Sequence, residues 1–170
     1  MDKKLKKAIN EQITKELYSS YLYLAMVGYF ESKSLSGFSH WMRMQVQEEL
    51  LHAMKLFDFM NERGHKVVLG VIDKPPGDFT SVEDVFQKTL EHEKKVTASI
   101  NSLYTLARDT NDNAVLTFLQ WFINEQVEEE KNAGDILAKL KYVSSQPAGI
   151  LFLDKELATR PQPVISPATQ

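Results

Sequence analysis

Four apolar stripes in this sequence each carry a carboxylate near mid-length. Stepping by three and four, the first reads Leu5, Ile9, Ile13, Glu16, Ser20, Tyr23, Val27, Phe30. The second reads Phe38, Met42, Gln45, Glu49, His52, Leu56, Phe59. The third sets Glu93 between Leu90 and Thr97, and the fourth sets Gln126 and Glu129 between Phe122 and Ala133. That spacing puts each stripe on one face of a helix, so these polar groups point into the interior. A single buried carboxylate is costly and commonly serves as a structural hydrogen-bonding group. Four at matching depth, joined by His52, repel one another severely unless a cation lies between them. A divalent metal supplies that charge.

The donor types choose among metals. Carboxylate oxygens with one imidazole suit iron or manganese, and zinc also binds such sets. Glu49-Leu50-Leu51-His52 is a Glu-x-x-His motif, whose two side chains share a helix face and reach one ion or one pair of ions. The motif alone arises often by chance. Its weight comes from the carboxylates on the facing stripes.

Four long helices must position these groups, at about residues 3–31, 37–63, 81–108 and 113–142. Thr80 with Glu83, or Ser81 with Asp84, offers a capping box for the third, and Asn111 or Asp112 a cap for the fourth. Short breaks within the first and last pairs predict two antiparallel hairpins. The connection over residues 64–80 contains Gly70, Pro75, Pro76 and Gly77 and is not helical. A helix of this length is roughly 40 Å long. The connection, extended, reaches roughly 55 Å. It is long enough to run the whole bundle and return the third helix parallel to the second. The predicted fold is all-α: a four-helix bundle with one long crossover and a short fifth C-terminal helix near residues 150–158. Residues 1–160 form the domain, and residues 161–170 a Pro-rich tail expected to be disordered.

Composition excludes several alternatives. The chain has 170 residues and a formal net charge of −3, without the clustered basic excess that a nucleic-acid partner needs. It contains no cysteine, which rules out thiolate metal sites and iron–sulfur clusters. The basic N-terminus precedes no apolar signal core, and no apolar run is long enough for a membrane span. A cytoplasmic location is the expectation.

The residues at this point resemble the non-haem ferritins of bacteria and archaea over about residues 5–160. The resemblance rests on Glu16-Leu17-Tyr18-Ser19-Ser20, Gln47-Glu48-Glu49-Leu50-Leu51-His52-Ala53, His92-Glu93, Phe118-Leu119-Gln120-Trp121-Phe122, Glu125-Gln126-Val127-Glu128-Glu129-Glu130 and Phe152-Leu153-Asp154-Lys155-Glu156-Leu157. It implies a first iron site at Glu16, Glu49 and His52. A second follows at Glu49, Glu93 and Glu129, with Glu49 bridging and Gln126 hydrogen-bonding beside it. Tyr23 and Trp121 match aromatics near the family's di-iron centre. A third iron position maps onto Glu48, Glu125, Glu128 and Glu129. The implied activity is a ferroxidase: Fe(II) is oxidised by O2 or H2O2, and the ferric mineral is stored in a shell of about twenty-four identical chains. The apolar Ile150-Leu151-Phe152-Leu153 resembles the family's fifth helix at fourfold contacts.

The haem-binding relatives carry a methionine where this chain has Leu50, and a second Glu-x-x-His where it has Gln126 and Glu129. No haem is expected. Rubrerythrins add a cysteine-bound iron module, di-iron oxygenases a second Glu-x-x-His, and mini-ferritins a site between subunits. None of these patterns matches the intrachain set here, and a metal-free bundle leaves the core carboxylates unexplained. His40, His65 and His92 read as surface residues. Met42, Met44, Met54 and Met60 read as core filler, and Glu130 receives no role.

Overall fold

The computed structural model describes residues 1–143 and 146–163. It contains α1 (Lys3–Ser32), α2 (Ser36–Glu62), α3 (Val82–Asp109), α4 (Asn113–Val143) and α5 (Pro147–Leu157), with no strand among the described residues. The expected four-helix bundle with a short fifth helix is the architecture found. Residues 161–163 follow without helix, and residues 164–170, the rest of the expected tail, lie outside the described residues.

Local chemistry sets the ends of the helices. Asp2 caps α1 by accepting from the amides of Lys4 and Leu5. Ser81 caps α3 by accepting from the Asp84 amide at 3.0 Å, and Asp84 reaches back to the Thr80 amide at 2.9 Å. Asp112, rather than Asn111, caps α4 by accepting from the Val115 amide at 3.2 Å. Asn111 instead takes the left-handed conformation that turns the chain between α3 and α4, with φ 54°. Ser34 does the same between α1 and α2, with φ 57°.

The crossover runs along α1 as its length requires. The Val68 amide donates to Asn10 Oδ1 and the Gly70 amide to Thr14 Oγ1, near the start of α1. Phe79 then packs edge-on against Tyr29 near the end of α1, with ring centres 5.6 Å apart. The third helix therefore begins beside the start of the second and runs parallel to it. A fork of two 3.1 Å hydrogen bonds from Arg63 to Asp112 ties the end of α2 to the start of α4.

Two apolar clusters fill the bundle. One contains Leu22, Phe30, Phe38, Phe86 and Leu140, and the other contains Ile9, Leu56, Ile100, Val115 and Leu119. Between them lies a layer of buried polar groups: Gln12, Glu16, Ser19, Gln45, Glu49, His52, Glu93, Gln126 and Glu129. The stripes hold with small shifts. Ser19 is the buried serine, not Ser20, and Val96 and Leu103 are buried where Thr97 and Tyr104 are half-exposed. Straight helices drift against a strict three-four step, which moves such positions to the stripe's edge. Met42, Met44 and Met60 fill the core as expected; Met54 does not, and is 41% exposed.

Candidate metal centre

Each helix of the bundle brings one carboxylate to the polar layer. Glu16 on α1 meets Glu49 and His52 on α2, with one donor atom from each lying within 4.8 Å of the others. His52 Nδ1 is 3.6 Å from Glu49 Oε2. Glu93 on α3 accepts from the Tyr23 hydroxyl of α1 and, at 3.2 Å, from Gln126 Nε2 of α4. Glu129 on α4 accepts from Gln45 Nε2 of α2 at 2.9 Å. All these side chains are buried.

Two glutamines that support the carboxylates received no role from sequence. Gln12 donates to Glu16 Oε1 at 2.9 Å, and Gln45 holds Glu129. Each stands four residues before a candidate ligand on its own helix, Gln12 before Glu16 and Gln45 before Glu49. That spacing was the available signal. Gln12 is itself fixed by the Ser99 hydroxyl, which donates to its Oε1 at 2.5 Å.

Three buried side-chain oxygens have no hydrogen-bond partner among the described residues: Glu16 Oε2, Gln45 Oε1 and Glu49 Oε2. Buried acceptors are normally satisfied. All three carry free lone pairs, and two belong to carboxylates, so a cation placed among them would complete them. The protonation states agree. Burial pushes Glu16 up to about 7 and Glu93 up to about 8, the latter helped by the charge of Glu129. Burial, then the charges of Glu93 and Glu16, raises Glu49 well above the carboxylate range. Burial holds His52 down at about 4, so at neutral pH its imidazole is uncharged and ready to ligate.

The third group of candidates is not gathered as one cluster. Glu125 joins His52 and Glu129, again with donor atoms within 4.8 Å of one another. Glu48 is instead paired with Arg160, and Glu128 is exposed. Trp121 lies beside His52, ring centres 5.4 Å apart and nearly perpendicular, with Lys55 Nζ over the Trp121 ring, 4.4 Å from its centre. Leu50 points away from the layer and is 47% exposed. Glu130 accepts from the Thr97 hydroxyl at 2.6 Å.

His92 departs from its expected surface position. Its Nε2 lies 2.7 Å from Ser19 Oγ, and its ring packs near Tyr18 and Tyr23. It lines a groove of about 480 Å³ that Val71, Ile72 and Asp73 of the crossover help to wall. The crossover covers a face that the helix pattern alone would leave open.

Comparison with known proteins agrees with this arrangement. A family profile described as a ferritin-like domain matches residues 6–143. A bacterial non-heme ferritin of Bacteroides fragilis (strain 638R) is 41% identical over 160 residues, covering 94% of this chain and 99% of the relative. One from Escherichia coli O157:H7 is 36% identical over 151 residues, covering 89% and 92%. A solved structure described as a novel open pore ferritin from the hyperthermophilic archaeon Archaeoglobus fulgidus superimposes with a TM-score of 0.94 at 48% identity, covering 95% of this chain and 99% of that one. With its profile match, its relatives and its bundle in agreement, the chain belongs to the ferritin family of iron-storage proteins.

Proposed function

We propose that this chain is a ferroxidase subunit that oxidises Fe(II) within its own bundle and stores the ferric product inside a shell of about twenty-four copies. The observation that carries this reading is the set of unpartnered buried oxygens on Glu16, Glu49 and Gln45, in a layer where four helices each contribute a carboxylate.

Glu16, Glu49 and His52 hold one Fe(II), and Glu49, Glu93 and Glu129 the other, with Glu49 shared. Gln12, Gln45, Gln126 and Tyr23 orient the carboxylates by donating hydrogen bonds to them. The carboxylates' negative charge stabilises ferric more than ferrous ion, because the attraction scales with the charge on the metal. Each Fe(II) gives up one electron. The pair reduces O2 to H2O2 with two protons, or H2O2 to two waters with two protons. Hydrolysis of Fe(III) then returns protons to solvent as the mineral forms. A third cation is held at Glu125 and Glu129, with Glu48 and Glu128 at the edge of the same region, and modulates transfer rather than starting oxidation.

The exposed apolar side chains of α5 support assembly. Leu151 is 62% exposed and Phe152 71% exposed in the single chain, and a lone bundle has no use for them. Stopped-flow mixing with Fe(II) tests the centre. Glu49→Ala and His52→Ala should each lose fast oxidation by about 100-fold or more while light scattering still finds an assembled particle. Unchanged fast oxidation in both variants would remove the assignment, and a particle that stays monomeric under all conditions would remove the shell.

A further inference from the structure

Arg160 lies just beyond α5 and reaches back to α2. Its Nη2 donates to Glu48 Oε2 at 2.5 Å, and its Nη1 donates to the Trp41 carbonyl at 3.2 Å. The guanidinium sits 4.3 Å from the centre of the Trp41 ring. Its own carbonyl pairs with His40 Nε2 at 2.8 Å. The Arg160 and Glu48 side chains are only 14% and 21% exposed. Four interactions thus fasten the end of the helical chain to one stretch of α2.

The charges around Glu48 give this contact a second meaning. Glu125 and Glu129 both repel a charge on Glu48, while Arg160 stabilises it. The field of Arg160 also reaches Glu129. Glu48, Glu128 and Arg160 line one groove of about 650 Å³ between α2, α4 and the end of α5. A divalent ion drawn to this acidic group meets a carboxylate oxygen that a guanidinium already occupies. The two cations repel, and both draw on the same carboxylate.

We propose that Arg160 is a built-in, displaceable counter-ion at the third cation position, and that a cation bound through Glu48 frees the segment after α5 from α2. This rests on the third-position reading given above. Linkage then fixes a reciprocal relation: whatever factor Arg160 docking takes from cation affinity, cation binding takes from Arg160 docking. Occupancy beside the oxidation centre is thereby coupled to the chain's C-terminal segment.

Anaerobic Fe(II) titration of the metal-free assembled protein, followed by calorimetry, tests the coupling. Hydrogen exchange over residues 157–162 is followed in parallel. The proteins compared are wild type, Arg160→Gln, Arg160→Lys and Glu48→Gln. The third Fe(II) per chain should bind Arg160→Gln at least about fivefold more tightly than wild type, with Arg160→Lys between them. In wild type the third equivalent should speed exchange over residues 157–162. In Arg160→Gln exchange should be fast already and indifferent to iron. Glu48→Gln should weaken the third Fe(II). If Glu48→Gln weakens it but Arg160→Gln binds like wild type and exchange ignores iron, the Arg160 proposal falls and the third position stands. If Glu48→Gln has no effect, or no third Fe(II) binds in any of the proteins, the third position falls and takes the proposal with it.

Discussion

Asp154 of α5 caps α2 through the backbone of Gly37. Its Oδ1 accepts from the Gly37 amide at 2.8 Å and from the Phe38 amide at 2.9 Å. The N-cap residue of α2, Leu35, offers no side-chain hydrogen bond, so the cap comes from another helix. A Cβ at Gly37 would fall 1.6 Å from the Asp154 carbonyl oxygen, so only glycine allows the approach. A carboxylate at a helix N-terminus also meets the positive end of the helix dipole.

Removing either partner should loosen α5. Asp154→Ala should cost about 1 kcal/mol, the usual worth of a cap. Gly37→Ala should cost more, because the obstacle is backbone and cannot swing aside. Calorimetric melting of the metal-free protein ranks the two, and hydrogen exchange over α5 should rise in both. A Gly37→Ala protein that melts with wild type would show that the close approach is dispensable.

The buried carboxylates should make the metal-free protein less stable as pH rises. Glu93 and Glu16 have an ordinary value of 4.5 and stand near 8 and 7 when folded. Between those limits the native state keeps protons that the unfolded chain has lost. The stability they contribute is full below pH 4.5 and is lost as pH rises toward 7 and 8. Other groups also titrate, so the difference from Glu93→Gln isolates the effect. The variant's advantage in melting temperature should grow from pH 5 to pH 8. An advantage that is flat or shrinking over that range would contradict the raised value. Fe(II) binding should show the opposite trend, tightening with pH as metal displaces protons.

Tyr23 should matter to rate more than to binding. Its hydroxyl donates to Glu93, a carboxylate that the proposed centre would need in a fixed orientation. Tyr23→Phe should keep two Fe(II) per chain under anaerobic conditions and slow their oxidation by roughly tenfold, as loss of a supporting hydrogen bond does. Oxidation at the wild-type rate would make the tyrosine a packing residue only.

Haem should find no axial ligand at position 50. Leu50 is 47% exposed and has no lone pair to offer iron. Protein produced with added haem should show no stoichiometric Soret band of bis-methionine type. Such a band would require a ligand other than the one at this position.

The buried polar layer was legible because periodicity and polarity conflict there. Glu16, Glu49, His52, Glu93 and Glu129 are polar residues on stripes that are otherwise apolar, and the structure buries all five. The crossover was legible from its length and its prolines. What escaped depends on contacts distant in sequence. The docking of Asp154 on Gly37 joins residues 117 positions apart, and no local pattern announces it. Arg160 lies past the last apolar stripe, at the border of the Pro-rich tail, where no periodicity marks a contact. Gln12 stands beside Ile13 at the margin of its stripe, and His92 is covered by a loop whose path the helix pattern does not specify.

The division of the proposed ligands between the two hairpins bears on the chain before it is fully folded. The α1–α2 hairpin carries Glu16, Glu49 and His52, while the α3–α4 hairpin carries Glu93 and Glu129. A nascent chain that has closed only its first hairpin holds a partial, solvent-open ligand set. The shared carboxylate Glu49 meets its remaining partners only after the crossover has been laid along α1 and the second hairpin has docked. On the proposed assignment, high-affinity capture of a redox-active metal awaits complete tertiary structure, and a misfolded or truncated copy is a poor trap for it. Under that assignment the metal would act as a late inspector of the fold, its binding energy going to copies that have passed.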